Sequence, residues 1–322
     1  MRALITGIAG FAGSHLAEHL LDRTDLEVHG LILPQFGTAN LSAICHRLVL
    51  HEGDVSDYQR VLALLGECRP DLIFHLAAQA APSLSLVQPG ETLTNNILGQ
   101  LNILQAAVEL GLAPRILVIG SADEYGQVLP EELPVKETNA FRPINPYSVS
   151  KIAQDYLGYQ YFLSHGLPVV RLRPFNHIGP RQGPGFVVAD FARQVAEAEA
   201  GKREPVVRVG NLQNRRDFTD VRDMVRAYHL ALTVGEPGEV YNVGSGRSWS
   251  VGEILDQLVS LSRVKLEIVP DTARFRPTDI PVIVCDCSKF RACTGWQPVI
   301  PLERTIRDVL DYWREQVAVG HR

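Results

Sequence analysis

Short apolar runs punctuate the first half of the chain at 2–5, 27–33, 47–52, 72–75, 115–120 and 168–173. They show little polar alternation, which is how strands covered on both faces read. Between them, apolar positions over 11–21, 58–68, 90–110 and 148–165 recur with helical spacing. Strands alternating with helices predict βαβ units and a parallel sheet. Right-handed crossovers then place helices on both of its faces.

The second half breaks this pattern. Gly179-Pro180 and Gly183-Pro184 interrupt the chain soon after the last of those runs. A helix is predicted over 185–200 and a strand over 206–209. A loop rich in Asn and Arg follows, then a helix near 220–233 and another buried strand at 240–243. Segments 250–261, 265–270 and 301–317 make a mixed tail. The expected architecture is α/β, a doubly wound parallel sheet with a smaller mixed α/β lobe toward the C-terminus. The larger domain is expected over 1–175, with 217–246 returning to it, and the smaller, interleaved one over 176–322.

Composition narrows the function classes. At 322 residues the chain is longer than one core usually serves, which fits two lobes. Hydrophobic residues at 46% and charged residues at 21% exclude a disordered or fibrous chain. A net charge of −5 without a long basic run argues against nucleic acid as a partner. The five cysteines are odd in number and contain no Cys-x-x-Cys, so neither a disulfide frame nor a zinc ribbon fits. Cys285 and Cys287 read as strand-edge thiols, and no metal site is expected. The chain enters its first strand with no signal segment before it, and no apolar stretch is long enough to span a membrane. A soluble cytoplasmic protein without a membrane partner is expected.

Thr6-Gly7-Ile8-Ala9-Gly10-Phe11-Ala12-Gly13 joins the first predicted strand to the first predicted helix. Glycines let the backbone turn sharply and approach a pyrophosphate, whose charge then meets the N–H groups at the helix start. This makes Gly7, Gly10, Phe11, Ala12 and Gly13 candidates for holding a dinucleotide on a Rossmann sheet. The alternative is a glycine turn that only lets strand and helix pack closely. An acid closing the second strand would select NAD and an arginine NADP, but Leu33-Pro34-Gln35 offers neither. Tolerance of both NADH and NADPH is expected. Asp54 and Val55 follow the third strand, near the expected adenine, although Asp54 could equally cap the next helix.

Tyr147 and Lys151 lie four apart at the start of a helical segment and therefore share a face. A phenol is a poor proton carrier at neutral pH, and a neighbouring ammonium is expected to lower its pKa. The alternative is a surface tyrosine lying on a lysine stem. Ser121 follows the fifth run at its carboxyl end, where open parallel sheets bind ligands.

Gly7/Gly10/Gly13, Asp54, His75-Leu76-Ala77-Ala78-Gln79, Ser121 and Tyr147/Lys151 together resemble the extended short-chain dehydrogenase/reductase superfamily of nucleotide-sugar enzymes. Pro174 to Gln182, Gly185-Phe186-Val187 and Arg216 to Asp223 resemble its GDP-mannose-modifying branch. The resemblance implies that Ser121 and Tyr147 meet the sugar 4-oxygen, and that Lys151 holds the nicotinamide ribose. It adds Leu76, Ala77 and Ala78 to the cofactor site. It implies that Asn176, Arg216 and Arg276 face the diphosphate of a GDP-sugar, and that Arg181, Val187 and Asp279 line the same site. Solvated or internally paired arginines are the plainer alternative for Arg216 and Arg276, and His177 reads as a packed hydrogen-bonding residue.

Within this branch the Ser121-Ala122-Asp123-Glu124-Tyr125-Gly126 segment decides the expected reaction. Dehydratases carry Thr-x-Glu in register with Ser121 to Asp123. Water elimination needs a base and an acid there, and Ala122 with a shortened Asp123 fits poorly. Reduction of a C4 ketone needs only a hydride and a proton. The expectation is NAD(P)H-dependent reduction of GDP-4-keto-6-deoxy-D-mannose to GDP-D-rhamnose, with Asp123 in the site and Glu124 either binding sugar hydroxyls or lying in a solvated acidic loop. A 4,6-dehydratase, a C4-epimerase and a non-catalytic dinucleotide sensor remain the alternatives. Apolar residues on more than one stripe of 90–110 and 148–165 predict a homodimer through a four-helix seam.

Overall fold

Residues 1–275 and 280–320 are described in a computed structural model of the chain. Its first half runs β1 (Arg2–Thr6), α1 (Phe11–Arg23), β2 (Glu27–Ile32), β3 (Val49–Glu52), α2 (Tyr58–Cys68) and β4 (Leu72–His75). Next come α3 (Pro82–Val87), α4 (Pro89–Leu93), α5 (Gly99–Glu109), β5 (Arg115–Ile119), α6 (Pro146–His165) and β6 (Val169–Pro174). The second half contains β7 (Asn176–Ile178), α7 (Val187–Glu199), β8 (Val206–Val209), β9 (Arg215–Asp220), α8 (Val221–Thr233) and β10 (Val240–Val243). It ends with β11 (Ser248–Ser250), α9 (Val251–Ser260), β12 (Glu267–Pro270), α10 (Ser288–Thr294) and α11 (Leu302–Val319).

The large sheet has the order β10-β6-β5-β4-β1-β2-β3, and every pairing in it is parallel. Successive β1 residues supply opposite faces, as a strand period of two requires. Ala3 and Ile5 join α1 and α8 in one core, whereas Leu4 joins α2 and α5 in the other. The chain reverses direction between β1 and β4, which opens a crevice at their carboxyl ends. The predicted doubly wound α/β fold is present, and β10 extends the sheet beside β6. A third core, including Phe191, Val195, Ile254, Leu258, Ile306 and Leu310, packs α7, α9 and α11 together.

Several elements depart from the sequence reading. The helix expected over 90–110 is interrupted by a π turn at Thr94–Leu98 between α4 and α5. Strands β7, β9 and β11 form a small sheet where no strand was expected. They are short and polar, and β9 buries Asp217 and Thr219, so no apolar run betrays them. Asp57 caps α2 by accepting from the Arg60 N–H, while Asp54 instead turns the chain through the Ser56 N–H. Cys285 makes an isolated bridge with Val135, and Cys287 precedes α10; both thiols are buried.

Candidate active site

The glycine-rich turn has the shape a pyrophosphate cradle needs. Gly7 adopts φ +70°, and a Cβ there would stand 3.0 Å from the backbone of Ala77. A Cβ on Gly13 would lie 2.2 Å from the Gly7 carbonyl oxygen. No side chain caps the start of α1, and its first turn carries no acid. The positive end of that helix therefore faces the crevice uncompensated, a donor set that suits a dinucleotide phosphate. Phe11 stacks on His177 with ring centroids 5.8 Å apart. Thr6 Oγ1 accepts from the Ala77 N–H at 3.1 Å and meets His75 Nδ1 at 2.9 Å. These bonds hold the Leu76-Ala77-Ala78 loop beside the turn. His75 is fully buried, which drives its pKa down to about 3 and keeps the ring neutral.

Sequence reasoning missed Asn96, which the π turn presents inward. Its Oδ1 accepts from the Gln79 N–H at 2.7 Å, and its Nδ2 donates to the Gln79 carbonyl at 3.1 Å. The same Nδ2 donates to Ser150 Oγ at 2.9 Å, linking the loop after β4 to α6. A polar residue in an amphipathic stretch reads as solvent-facing, and hydrogen-bond register leaves no compositional trace. Val55 accepts a hydrogen bond from Asn102 Nδ2 through its carbonyl, at 2.8 Å.

Helix α6 carries the catalytic candidates. Pro146 occupies its first turn, and Asn145 Oδ1 accepts from the Ser148 N–H at 2.8 Å. Proline preset for the first turn and an asparagine cap fix where the helix starts. Tyr147 and Lys151 then both lie buried, with Lys151 Nζ 5.8 Å from the Tyr147 ring centroid. Lys151 Nζ donates to the Ile119 carbonyl at 3.0 Å. The Ser121 hydroxyl faces the Tyr147 hydroxyl closely enough to favour its ionised form, and its Oγ accepts from the Asp123 N–H at 3.1 Å.

The electrostatics differ from the sequence expectation. Burial, followed by the Asp123 charge, raises the Tyr147 pKa, and the Ser121 hydroxyl only partly opposes them. Desolvation therefore overrides the ammonium, and the phenol keeps its proton at neutral pH. Burial likewise lowers Lys151 to about 8, opposed by the charge of Glu124.

Glu124 is not in a solvated loop. It is fully buried, and its Oε1 accepts from the Ser121 N–H at 2.7 Å. Behind it, Arg173 Nε donates to Asp155 Oδ2 at 2.7 Å, and Arg171 Nη1 donates to Asp155 Oδ1 at 2.6 Å. Arg173 Nη1 also donates to the Tyr125 hydroxyl at 2.9 Å, which in turn donates to Asn242 Oδ1 at 2.7 Å. This buried network ties α6, β6, β10 and the Ser121 turn into one unit.

The residues expected at the sugar nucleotide are more dispersed. Asn176 is exposed on β7, and Val187 opens α7. Arg181 takes a left-handed backbone, φ 73°, and meets Glu18 Oε1 at 2.5 Å and Ser14 Oγ at 3.2 Å, against α1. Arg216 Nη1 donates to the Ile280 carbonyl at 2.6 Å. Arg276 and Asp279 lie outside the described residues.

Residues 4–309 match the family model described as GDP-mannose 4,6 dehydratase. The chain is 37% identical over 316 residues to the GDP-6-deoxy-D-mannose reductase of Pseudomonas aeruginosa, covering 98% of each. It is 33% identical to GDP-mannose 4,6 dehydratase 1 of Arabidopsis thaliana, covering 96% of this chain and 88% of that one. Among solved structures, RMD from Pseudomonas aeruginosa complexed with NADPH superposes with a TM-score of 0.86 at 35% identity, covering 98% of this chain and 99% of that one.

Replacing Asp155 by alanine leaves two buried guanidinium groups without their shared carboxylate. Losing one partner of a buried pair costs about 3–5 kcal/mol. Urea unfolding of Asp155→Ala is expected to show a loss of that size, whereas a loss below about 1 kcal/mol would mean the network is not bearing on stability.

Proposed function

The chain belongs to the GDP-mannose 4,6-dehydratase family, and we propose that within it this NAD(P)-dependent nucleotide-sugar enzyme reduces the C4 ketone of GDP-4-keto-6-deoxy-D-mannose to GDP-D-rhamnose. The observation that carries this reading is the pair beside Ser121. Ala122 is 4% exposed and offers no proton donor or acceptor in its side chain. Asp123 is a methylene shorter than the glutamate that dehydratases place there. Elimination of water needs a base for one proton and an acid for the leaving hydroxyl, both well placed. Ketone reduction needs neither.

A nicotinamide cofactor, when bound, would supply the hydride. Lys151 and the 76–78 loop would hold its nicotinamide end, and the open start of α1 would take its pyrophosphate. Ser121 donates a hydrogen bond to the ketone oxygen, and Tyr147 gives the alkoxide its proton. A buried phenol that retains its proton at neutral pH suits this direction of transfer. Dehydration or epimerisation would begin with oxidation at C4, for which the same group must first lose that proton. Asp123 meets sugar hydroxyls. Asn176, Arg181, Val187 and Arg216, with Arg276 and Asp279, bind the nucleotide diphosphate and sugar. Residues 1–175 with 217–246 hold the cofactor, and the remaining segments hold the substrate. The dehydratase is the second reading, favoured by the description of the family model and by the Arabidopsis thaliana relative.

A homodimer fits the outer surface of the two long helical segments. Val149, Tyr156 and Leu163 repeat every seven residues along α6, at 46%, 54% and 63% exposure. Leu98, between α4 and α5, is 44% exposed, while Ile103, Leu104 and Ala107 turn inward to the sheet. Such a stripe packs against its own copy across a four-helix seam.

Absorbance assays with GDP-mannose and with its 4-keto-6-deoxy derivative test the reaction. NADPH or NADH is expected to be consumed only with the keto sugar. Formation of a keto sugar from GDP-mannose without net cofactor use would overturn the reading. Tyr147→Phe is expected to lower kcat by about a hundredfold or more, and unchanged turnover would remove Tyr147 from the mechanism. With no acid or arginine at Leu33 to Gln35, kcat/KM for NADH and NADPH should agree within about a hundredfold; a wider gap contradicts the tolerance. Sedimentation at micromolar concentration should give a dimer that Tyr156→Arg dissociates, and a wild-type monomer would refute the seam.

A further inference from the structure

Two buried side chains grip the same short segment of backbone after β5. Lys151 Nζ donates to the Ile119 carbonyl at 3.0 Å, and Glu124 Oε1 accepts from the Ser121 N–H at 2.7 Å. Gly120, between these two attachment points, donates to the Leu172 carbonyl at 2.7 Å. A Cβ there would lie 2.2 Å from Glu124 Oε1, so any side chain at this position would displace the carboxyl from the Ser121 N–H. The Ser121 hydroxyl accepts from the Asp123 N–H at 3.1 Å and the Glu124 N–H donates to the Ser121 carbonyl at 3.1 Å, so the turn that presents Ser121 closes on this acid.

A capping bond alone would not need a buried charge. A glutamine makes the same backbone contact without the cost of desolvating an acid. Glu124 is moreover incompletely paired. Its Oε2 stands 3.2 Å from Arg173 Nε without forming a hydrogen bond, because that N–H is directed to Asp155 at 2.7 Å. We propose that Glu124 is a positioning residue for proton transfer: it clamps the Ser121 turn, and the charge it takes on when ionised favours the ammonium form of Lys151.

The groups facing Glu124 are Asp155, Lys151 and Tyr147 on α6, Arg173 on β6, and Tyr125 in its own turn. Burial, followed by the Asp155 charge, pushes its carboxyl up to about 8, with Arg173 opposing. Its negative charge raises the pKa values of both Lys151 and Tyr147. As pH rises through this range, Glu124 ionises, and the new charge holds the protons on the lysine and the phenol. The ammonium beside the proton donor therefore persists into mildly alkaline solution.

The proposal rests on the reductase reading for its kinetic test and is independent of it for its second test. Glu124→Gln keeps the bond to the Ser121 N–H and removes only the charge. In keto-sugar reduction its kcat/KM is expected to stay near wild type below about pH 7, where Glu124 is itself protonated, and to fall severalfold on the alkaline side, with the alkaline limb displaced downward by roughly one pH unit. Glu124→Ala also loses the clamp and should fall further at every pH. A purely structural role would lower the glutamine variant without moving the limb, and superimposable profiles would overturn the proposal.

Thermal melting from pH 5 to pH 8 needs no substrate. A carboxyl raised on folding contributes stability that is present below its unfolded value and lost as pH rises through its folded value. Glu124→Gln lacks that loss, so its Tm relative to wild type should climb by roughly 3 °C or more across the range. A Tm difference independent of pH would overturn the proposal even if the wild-type enzyme does not reduce the keto sugar. A climbing difference with an inactive wild type would instead place the fault in the reductase reading.

Discussion

The arrangement of the active site depends on one carboxylate shared by two arginines. Asp155 lies one further helical turn beyond Lys151, just as Lys151 lies one turn beyond Tyr147, so all three project from the same face of α6. Arg171 and Arg173 alternate along β6 and both reach Asp155, at 2.6 and 2.7 Å. Arg173 continues to Tyr125, which follows directly on the turn that presents Ser121. The helix bearing tyrosine and lysine, the strand behind it and the turn bearing serine are thereby fixed together. Charges this deeply buried are tolerated only when paired, so the same constraint that protects stability also sets the relative positions of Ser121, Tyr147 and Lys151.

Around this unit the sheet supplies the cofactor side. The reversal of strand order between β1 and β4 leaves a crevice, and the ends of β1, β4 and β5 all open into it. Gly7 and Gly13 allow the first turn to press against the Ala77 loop, where any Cβ would intrude. Asn96 then joins that loop to α6 by bonding Gln79 on both its backbone groups and reaching Ser150. The loop after β4 and helix α6 are thus held together by a side chain from a third element, the π turn.

Much of this was legible in the residues. The strands at 72–75 and 240–243 and the helix at 58–68 have the expected bounds, because fully buried parallel strands and a strongly amphipathic helix carry unambiguous periods. The serine, tyrosine and lysine were visible from motif and spacing, and the structure brings them together. Strand β9 was not visible, since buried Asp217 and Thr219 look like loop residues until their partners are known. Glu124 was hidden for the same reason: an acid in a short turn reads as solvated, and only tertiary contact with Arg173 reveals its burial. The raised pKa of Tyr147 could not be foreseen from its lysine neighbour, because desolvation depends on what covers the helix.

We propose that this site delivers hydride to the C4 ketone of a GDP-linked 4-keto-6-deoxy sugar while Tyr147 supplies the proton. The most direct measurement follows the transferred hydrogen, using NADPH deuterated at the nicotinamide C4 and NMR of the sugar product. The account predicts deuterium at C4 of a GDP-6-deoxyhexose, formed in step with cofactor oxidation. A product lacking the label, or conversion of GDP-mannose to the keto sugar with the cofactor unchanged, would contradict it.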